Sequence, residues 1–133
     1  MNMRLAHRRL PLTVLGGDYS IHQLASRSDA SEAALESGFT CLLADGRQTT
    51  LICPEAQPIR SMKTSAGWKV FKVNALLDHS LVGILAGIAR TLADAQVSIF
   101  ALSSWETDFI LVKKDHFDRA RSALEEAGHE VRT

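Results

Sequence analysis

Apolar residues recur along this chain in two rhythms, and each change of rhythm marks an element. Trp68, Val70, Phe71 and Val73, with Lys69 and Lys72 between them, predict a strand over 68–75. Leu81, Ile84, Leu85, Ile88 and Leu92 then follow helical spacing, which predicts a helix over 80–94 with Ser80 as its N-cap. Strand character returns over 96–103, where Val97, Ile99 and Ala101 alternate with Phe100 and Leu102. A tight turn at 104–106 leads into the unbroken apolar run 109–112, the pattern of a strand covered on both faces. Asp115 should cap a second helix carrying Phe117, Ala120, Leu124 and Ala127, with Gly128 at its C′ position and a short strand over 129–132. The order is β-α-β-β-α-β, the ferredoxin-like split βαβ unit, with two helices on one face of a four-stranded antiparallel sheet. The other face should be wet, yet 97–103 and 109–112 are apolar on both faces, so something must cover that surface: the first half of the chain or a second copy of the molecule.

The first half is a weaker version of the same plan. Strands are predicted over 10–15 and 20–24, and a short Ala-rich helix over 28–37. Segments 39–43 and 49–53 flank Asp45-Gly46, a strong hairpin signal. A two-residue turn there would set Cys41 opposite Thr50 and leave Cys53 out of register, whereas a longer loop could bring the cysteines together. Pro54, Pro58, Ser61, Ser65 and Gly67 cluster without periodicity, which reads as a linker over 61–67 between a module of 1–60 and one of 68–133. The halves share element order but no residue-by-residue repeat.

Composition narrows the function classes. Fifteen Lys+Arg balance 15 Asp+Glu, so the excess cation that a general nucleic-acid binder needs is missing. With 133 residues and 46% hydrophobic content, the chain can bury a core without disulfide staples. No segment reaches the roughly 18–20 apolar residues of a membrane span, and the basic start lacks the long apolar stretch of a signal peptide, so the expectation is a soluble, cytoplasmic protein. Enzyme readings are poor. Asp78, His79 and Ser80 are triad residue types, but consecutive side chains diverge and cannot relay a proton in line. The histidines have no metal-ligand spacing, and Gly16-Gly17 has no following Lys-Ser/Thr for a phosphate loop.

Three stretches carry a resemblance: Trp68-Lys-Val-Phe-Lys-Val73, Leu77-Asp-His-Ser-Leu-Val-Gly-Ile-Leu-Ala86, and Ser98-Ile-Phe-Ala-Leu-Ser-Ser-Trp-Glu-Thr-Asp-Phe-Ile-Leu-Val112, together with Cys53-Pro-Glu55. In this order they resemble the small bacterial tandem ACT-domain proteins, and the same module pattern is found in the tandem-ACT arginine sensors and the regulatory domains of aspartate kinase. The resemblance implies an α+β chain in which a ferredoxin-like βαββαβ ACT module follows a second, degenerate ACT-like module. It further implies a non-catalytic regulatory or sensor protein, with no cofactor, that binds a small ligand, an amino acid, at an interface between two ACT modules. A homodimer is the expected assembly. The sequence departs from the pattern at His79, Val82, Ser104-Trp105-Glu106 and Arg47-Gln48. Gln96 stands where glycine often closes the helix, at a cost of up to about 1 kcal/mol if the backbone there has positive φ.

The ligand residues implied are His79, Ser80, Leu81, Gly83 and Ile84 around the helix start, and Ser103, Ser104, Thr107 and Asp108 around the hairpin. The chemistry is compatible. A helix N-terminus offers unpaired N–H groups to a carboxylate, Ser80 and Gly83 permit close approach, and Asp108 can receive an ammonium group. Simpler roles compete at each position: Ser80 as a cap, Gly83 and Gly87 as close-packing residues, Asp108 as an acceptor for backbone donors, and Leu81, Ile84, Leu85 and Ile88 as core. The alternative function is a protein-interaction module whose pocket is degenerate, filled by His79 and Trp105, with an unidentified protein partner in place of a small molecule.

Overall fold

A computed structural model describes residues 9–74 and 82–133. Among them are eight strands, β1 (Pro11–Val14), β2 (Tyr19–Leu24), β3 (Cys41–Ala44), β4 (Thr49–Pro54), β5 (Lys63–Val73), β6 (Ile99–Ser103), β7 (Asp108–Lys113) and β8 (Glu130–Arg132). The helices are α1 (Glu32–Leu35), α2 (Ile84–Asp94) and α3 (Phe117–Glu126), with single 3-10 turns at Arg27–Asp29 and Lys114–His116. These residues fall into two compact units, one of 17–68 and one of 9–16 with 69–74 and 82–133. The residues expected as a linker, 61–67, are from Lys63 onward the front half of β5, and the chain divides between Trp68 and Lys69 instead. The front half of β5 closes one unit and its back half opens the other.

In the unit containing the C-terminus, α2, β6, β7, α3 and β8 follow the back half of β5, giving the expected β-α-β-β-α-β order. The sheet differs from the expectation by one strand. β6 pairs with β7, β7 with β5, β5 with β1, and β1 with β8, so β1 lies between the first and last strands of the module. β1 runs antiparallel to β5, with Leu12 opposite Val73, and parallel to β8, with Leu12 opposite Val131. The apolar run 10–14 therefore has a purpose that its place in the sequence did not suggest: it completes the distant module.

The core of this unit follows the two periodicities. Ile84, Ile88 and Leu92, at i, i+4 and i+8 of α2, and Ala120 and Leu124 of α3 pack with Leu12, Phe71, Val73, Ile110, Val112 and Val131 of the sheet. Phe71 and Phe117 stack with centroids 5.4 Å apart. Each fully buried aliphatic side chain here contributes about 1.5–3 kcal/mol relative to exposure. Val70 and Leu111, of the opposite pleat parity, are fully buried as well, whereas Phe100 stays partly exposed.

Both helices end in the same hydrogen-bonded turn. After α3, Gly128 takes φ +100°, its N–H donates to the Glu125 carbonyl and the His129 N–H to the Leu124 carbonyl. After α2, Gln96 takes φ 62°, its N–H donates to the Ala93 carbonyl and the Val97 N–H to the Leu92 carbonyl. Gln96 thus adopts the positive φ weighed for it from the sequence. The helix starts differ from expectation. α2 begins at Ile84 with Gly83 as N-cap, while Ser80 lies outside the described residues. Asp115 caps nothing: it sits within the 3-10 turn, and α3 starts after His116.

In the unit of 17–68 the strand order is β3-β4-β2-β5, all antiparallel. The element order is strand, helix, strand, strand, strand, so relative to its neighbour this unit lacks a second helix. Ile59, in the connection that stands in for it, packs on a small core of Leu24, Ala30, Leu51 and Cys53. The same connection is held by a bond between Ser61 Oγ and His22 Nδ1 at 2.6 Å. The Ala-rich stretch splits into a 3-10 turn and α1, because Ser31 adopts an extended backbone and accepts the Ala34 N–H at 3.1 Å. The hairpin loop is four residues, 45–48, which places Cys41 opposite Ile52. Both cysteines are free thiols, and burial pushes each above its ordinary pKa. Within β5, Gly67 (φ +77°) sits at a register shift against β2, where Tyr19 pairs with Trp68 and Ile21 with Ser65.

Candidate functional site

Four of the nine site residues named from the sequence are gathered by the β6–β7 hairpin. Ser103 and Asp108 form its last cross-strand pair, and the Ser103 hydroxyl donates to Asp108 Oδ1 at 2.5 Å. The turn is closed by the Ser104 N–H donating to the Thr107 carbonyl at 2.8 Å and the Thr107 N–H donating to Ser104 Oγ at 3.3 Å. Thr107 is 6% exposed, and its hydroxyl donates to the Val73 carbonyl at 2.7 Å. That bond fastens the hairpin to the end of β5, so the hydroxyl is occupied by the backbone and is not offered to a ligand. Ser103 and Ser104 are exposed and Asp108 is half-buried. Between them Trp105 projects with 82% of its surface exposed.

Asp108 has no cationic partner among the described residues; its one hydrogen bond there is from Ser103. A half-buried carboxylate with an accepting oxygen left over is a receptor for an N–H donor, and an ammonium satisfies it best.

Of the remaining predicted residues, Gly83 and Ile84 lie at the start of α2. Gly83 is half-buried with φ +88°, a conformation that disfavours any side chain, and its carbonyl accepts the Gly87 N–H at 2.9 Å. It carries no capping side chain, so the amides of the first turn keep their affinity for an anion. Ile84 is part of the hydrophobic core. No hydrogen bond among the described residues joins Gly83 or Ile84 to the hairpin. His79, Ser80 and Leu81 lie outside the described residues.

A cleft of about 350 Å³ on the helical side of the same unit is lined by Ala86, Gly87, Arg90, Thr91, Asp94 and His129, among others, and by none of the residues named from the sequence. Its polar groups are already engaged: Arg90 pairs with Asp94 at 3.1 Å, and His129 Nδ1 accepts the Leu10 N–H at 3.0 Å. No group of three His, Cys, Asp or Glu among the described residues is placed to hold a metal ion, and no helix there is long and apolar enough to cross a membrane. What the sequence reading missed is the structural use of Thr107. A small hydroxyl residue between a turn and an apolar strand carries no signal that tells a backbone partner from a ligand.

The comparisons agree with the fold. The ACT domain family model matches residues 63–126. Comparison with curated proteins gives no match. Among solved structures, protein Atu0741 from Agrobacterium tumefaciens superposes with TM-score 0.80 at 24% identity, over 93% of this chain and 92% of that one. VC0802 from Vibrio cholerae, a protein of unknown function described as a possible transport protein, gives TM-score 0.71 at 19% identity over 92% of each chain. The ligand-free regulatory subunit of aspartate kinase from Thermus thermophilus gives 0.64 at 11% identity, over 91% of this chain and 99% of that one. At these identities the structural matches establish the fold alone. From β5 to the end of α3, the chain matches the model of the ACT domain, and ACT domains are regulatory, ligand-binding modules.

Proposed function

We propose that the chain is a non-catalytic, cytoplasmic regulatory protein that binds a free amino acid where two ACT modules meet, and that it works as a homodimer. The carrying observation is Asp108, a half-buried carboxylate bonded to Ser103 and without a cationic partner among the described residues. In this reading Asp108 takes the ligand's ammonium, Ser103 and Ser104 flank it, and the uncapped first turn of α2 at Gly83 takes the ligand's carboxylate. His79, Ser80 and Leu81 complete the carboxylate side. The similarity to an aspartate kinase regulatory subunit supports a regulatory role. The unit of 17–68 is the second, degenerate ACT-like module: its strand order is that of its neighbour without the inserted β1, and it lacks one helix. The mechanism is linkage, in which the ligand favours one interface geometry over another and so changes self-association or partner affinity.

A thermal-shift screen against the twenty amino acids tests the reading. At about a hundred times its dissociation constant a ligand stabilises the native state by roughly 2.7 kcal/mol. For a chain of this size that is on the order of ten degrees. A shift with one or a few related amino acids is the expected outcome, and no shift with any of them refutes the sensor reading. The second reading, a protein-interaction module without a small ligand, is favoured by one observation: Trp105 is 82% exposed at the hairpin tip, the kind of aromatic that anchors a protein interface.

A further inference from the structure

The unit of 17–68 contains a polar cleft of about 450 Å³ that the amino-acid reading does not use. Its position follows from strand pairing. Leu24, the end of β2, and Ala44, the end of β3, both sit opposite Thr49, the start of β4. The 3-10 turn that follows β2 is thereby set beside the loop 45–48, and each contributes one arginine: Arg27 from the turn, Arg47 from the loop. Gln48 and Thr49 add an amide and a hydroxyl, and Ala44 and Gly46 add small apolar wall.

The charge balance of this cleft is one-sided. No Asp or Glu lines it. The nearest carboxylate in the loop, Asp45, is turned onto its own backbone, where Oδ1 accepts the N–H groups of Arg47 and Gln48 at 2.9 Å each. Among the described residues neither guanidinium has a hydrogen bond or ion pair to another side chain. Two unpaired arginines in one cleft face the same repulsion, and each presents a planar fork of donors that matches a tetrahedral or carboxylate oxyanion. The cleft volume falls within the range of small-molecule sites, roughly 300–1,000 Å³.

We propose that this cleft is a separate ligand site for a small dianionic oxyanion, a phosphate group held between Arg27 and Arg47, with Gln48 and Thr49 as neutral hydrogen-bonding partners. A zwitterionic amino acid does not suit it, because no carboxylate lines the cleft to receive the ammonium. The phosphate can come from free inorganic phosphate or from a monoester whose organic part rests on Ala44 and Gly46.

The test is calorimetric titration of the full chain with inorganic phosphate and with glycerol 3-phosphate, at constant ionic strength, with chloride as the control. Saturable binding of one anion per chain is expected. It should weaken by about tenfold or more in R27A and in R47A, the loss of one charge-assisted contact. R47K should recover only part of the affinity, because an ammonium keeps the charge and loses the fork. Tighter binding of the monoester assigns the organic phosphate as ligand, and equal or weaker binding assigns the free ion. No saturable binding of either probe in the millimolar range overturns the proposal, as does unchanged affinity in the R27A/R47A double variant. Both arginines are exposed, so the variants should keep the native circular dichroism spectrum. Their response to amino acids should also be unchanged, which separates failure of this site from failure of the amino-acid reading.

Discussion

Thr107→Val tests whether this residue is structural. The substitution keeps the shape of the side chain and removes one buried hydroxyl, which is 6% exposed and donates to the Val73 carbonyl at 2.7 Å. A net intramolecular hydrogen bond contributes about 0.5–1.5 kcal/mol, and leaving a buried acceptor unpaired costs roughly 1–3 kcal/mol. The added methyl recovers part of this by apolar burial, of order 0.8 kcal/mol. The expected net loss is about 1–2 kcal/mol. Urea unfolding followed by circular dichroism should show a lower midpoint with an unchanged slope, since the surface exposed on unfolding is the same. Thr107→Ser, which keeps the hydroxyl, should recover most of the loss. Amino-acid affinity extrapolated to the fully folded fraction should match that of the native chain. Unchanged stability in the valine variant, combined with loss of ligand binding, would refute the structural role and return Thr107 to the ligand contacts named from the sequence.

Three further outcomes follow from the backbone and from two partly desolvated imidazoles. Gln96→Gly relieves a positive φ of 62° and should raise stability by up to about 1 kcal/mol, read as an upward shift of the urea midpoint; a decrease would refute the strain argument. Gly67→Ala should cost about 1–2 kcal/mol although an added Cβ meets nothing within 4 Å, because the penalty lies in the φ of +77°; a neutral result in the same assay would show that the bulge relaxes freely. Burial lowers the pKa of His22, 6% exposed, and of His129. Their contribution to stability is therefore fully present above the unfolded value of about 6.5 and is lost as pH falls toward the folded values, because the unfolded chain binds more protons in that window. Urea midpoints should decline between pH 7.5 and 5.5, with a shallower decline in His22→Gln. A midpoint that rises over this range contradicts the assignment.

Much of the fold could be read from periodicity. The elements with a strong rhythm, Ile84 to Leu92 and Ile110 to Val112, lie where the sequence puts them, since tertiary packing and local pattern demand the same residues. Two features could not be read. The strand Pro11–Val14 inserts between β5 and β8, far away in sequence, and nothing in four residues specifies a partner 57 or more positions on. The stretch Lys63–Gly67 looks like a linker because its residues are exposed or half-buried and end in a glycine, yet its backbone pairs with β2 and the glycine serves a bulge. In the candidate site, Ser103 and Asp108 were legible as the two flanks of a tight turn, and the structure pairs them across it. The role of Thr107 was not, nor was the meeting of Arg27 with Arg47, because both depend on pairings between segments that the sequence does not link.

The central claim is that Asp108 receives the ammonium of an amino acid. The direct test is calorimetric titration of the native chain and of Asp108→Ala with the amino acid that gives the largest thermal shift. The account expects saturable binding by the native chain and affinity about 10- to 100-fold weaker in the variant, the loss of one hydrogen-bonded charge contact, with the melting temperature of the unliganded protein little changed. Equal affinity in the two proteins would contradict it and remove Asp108 from the site.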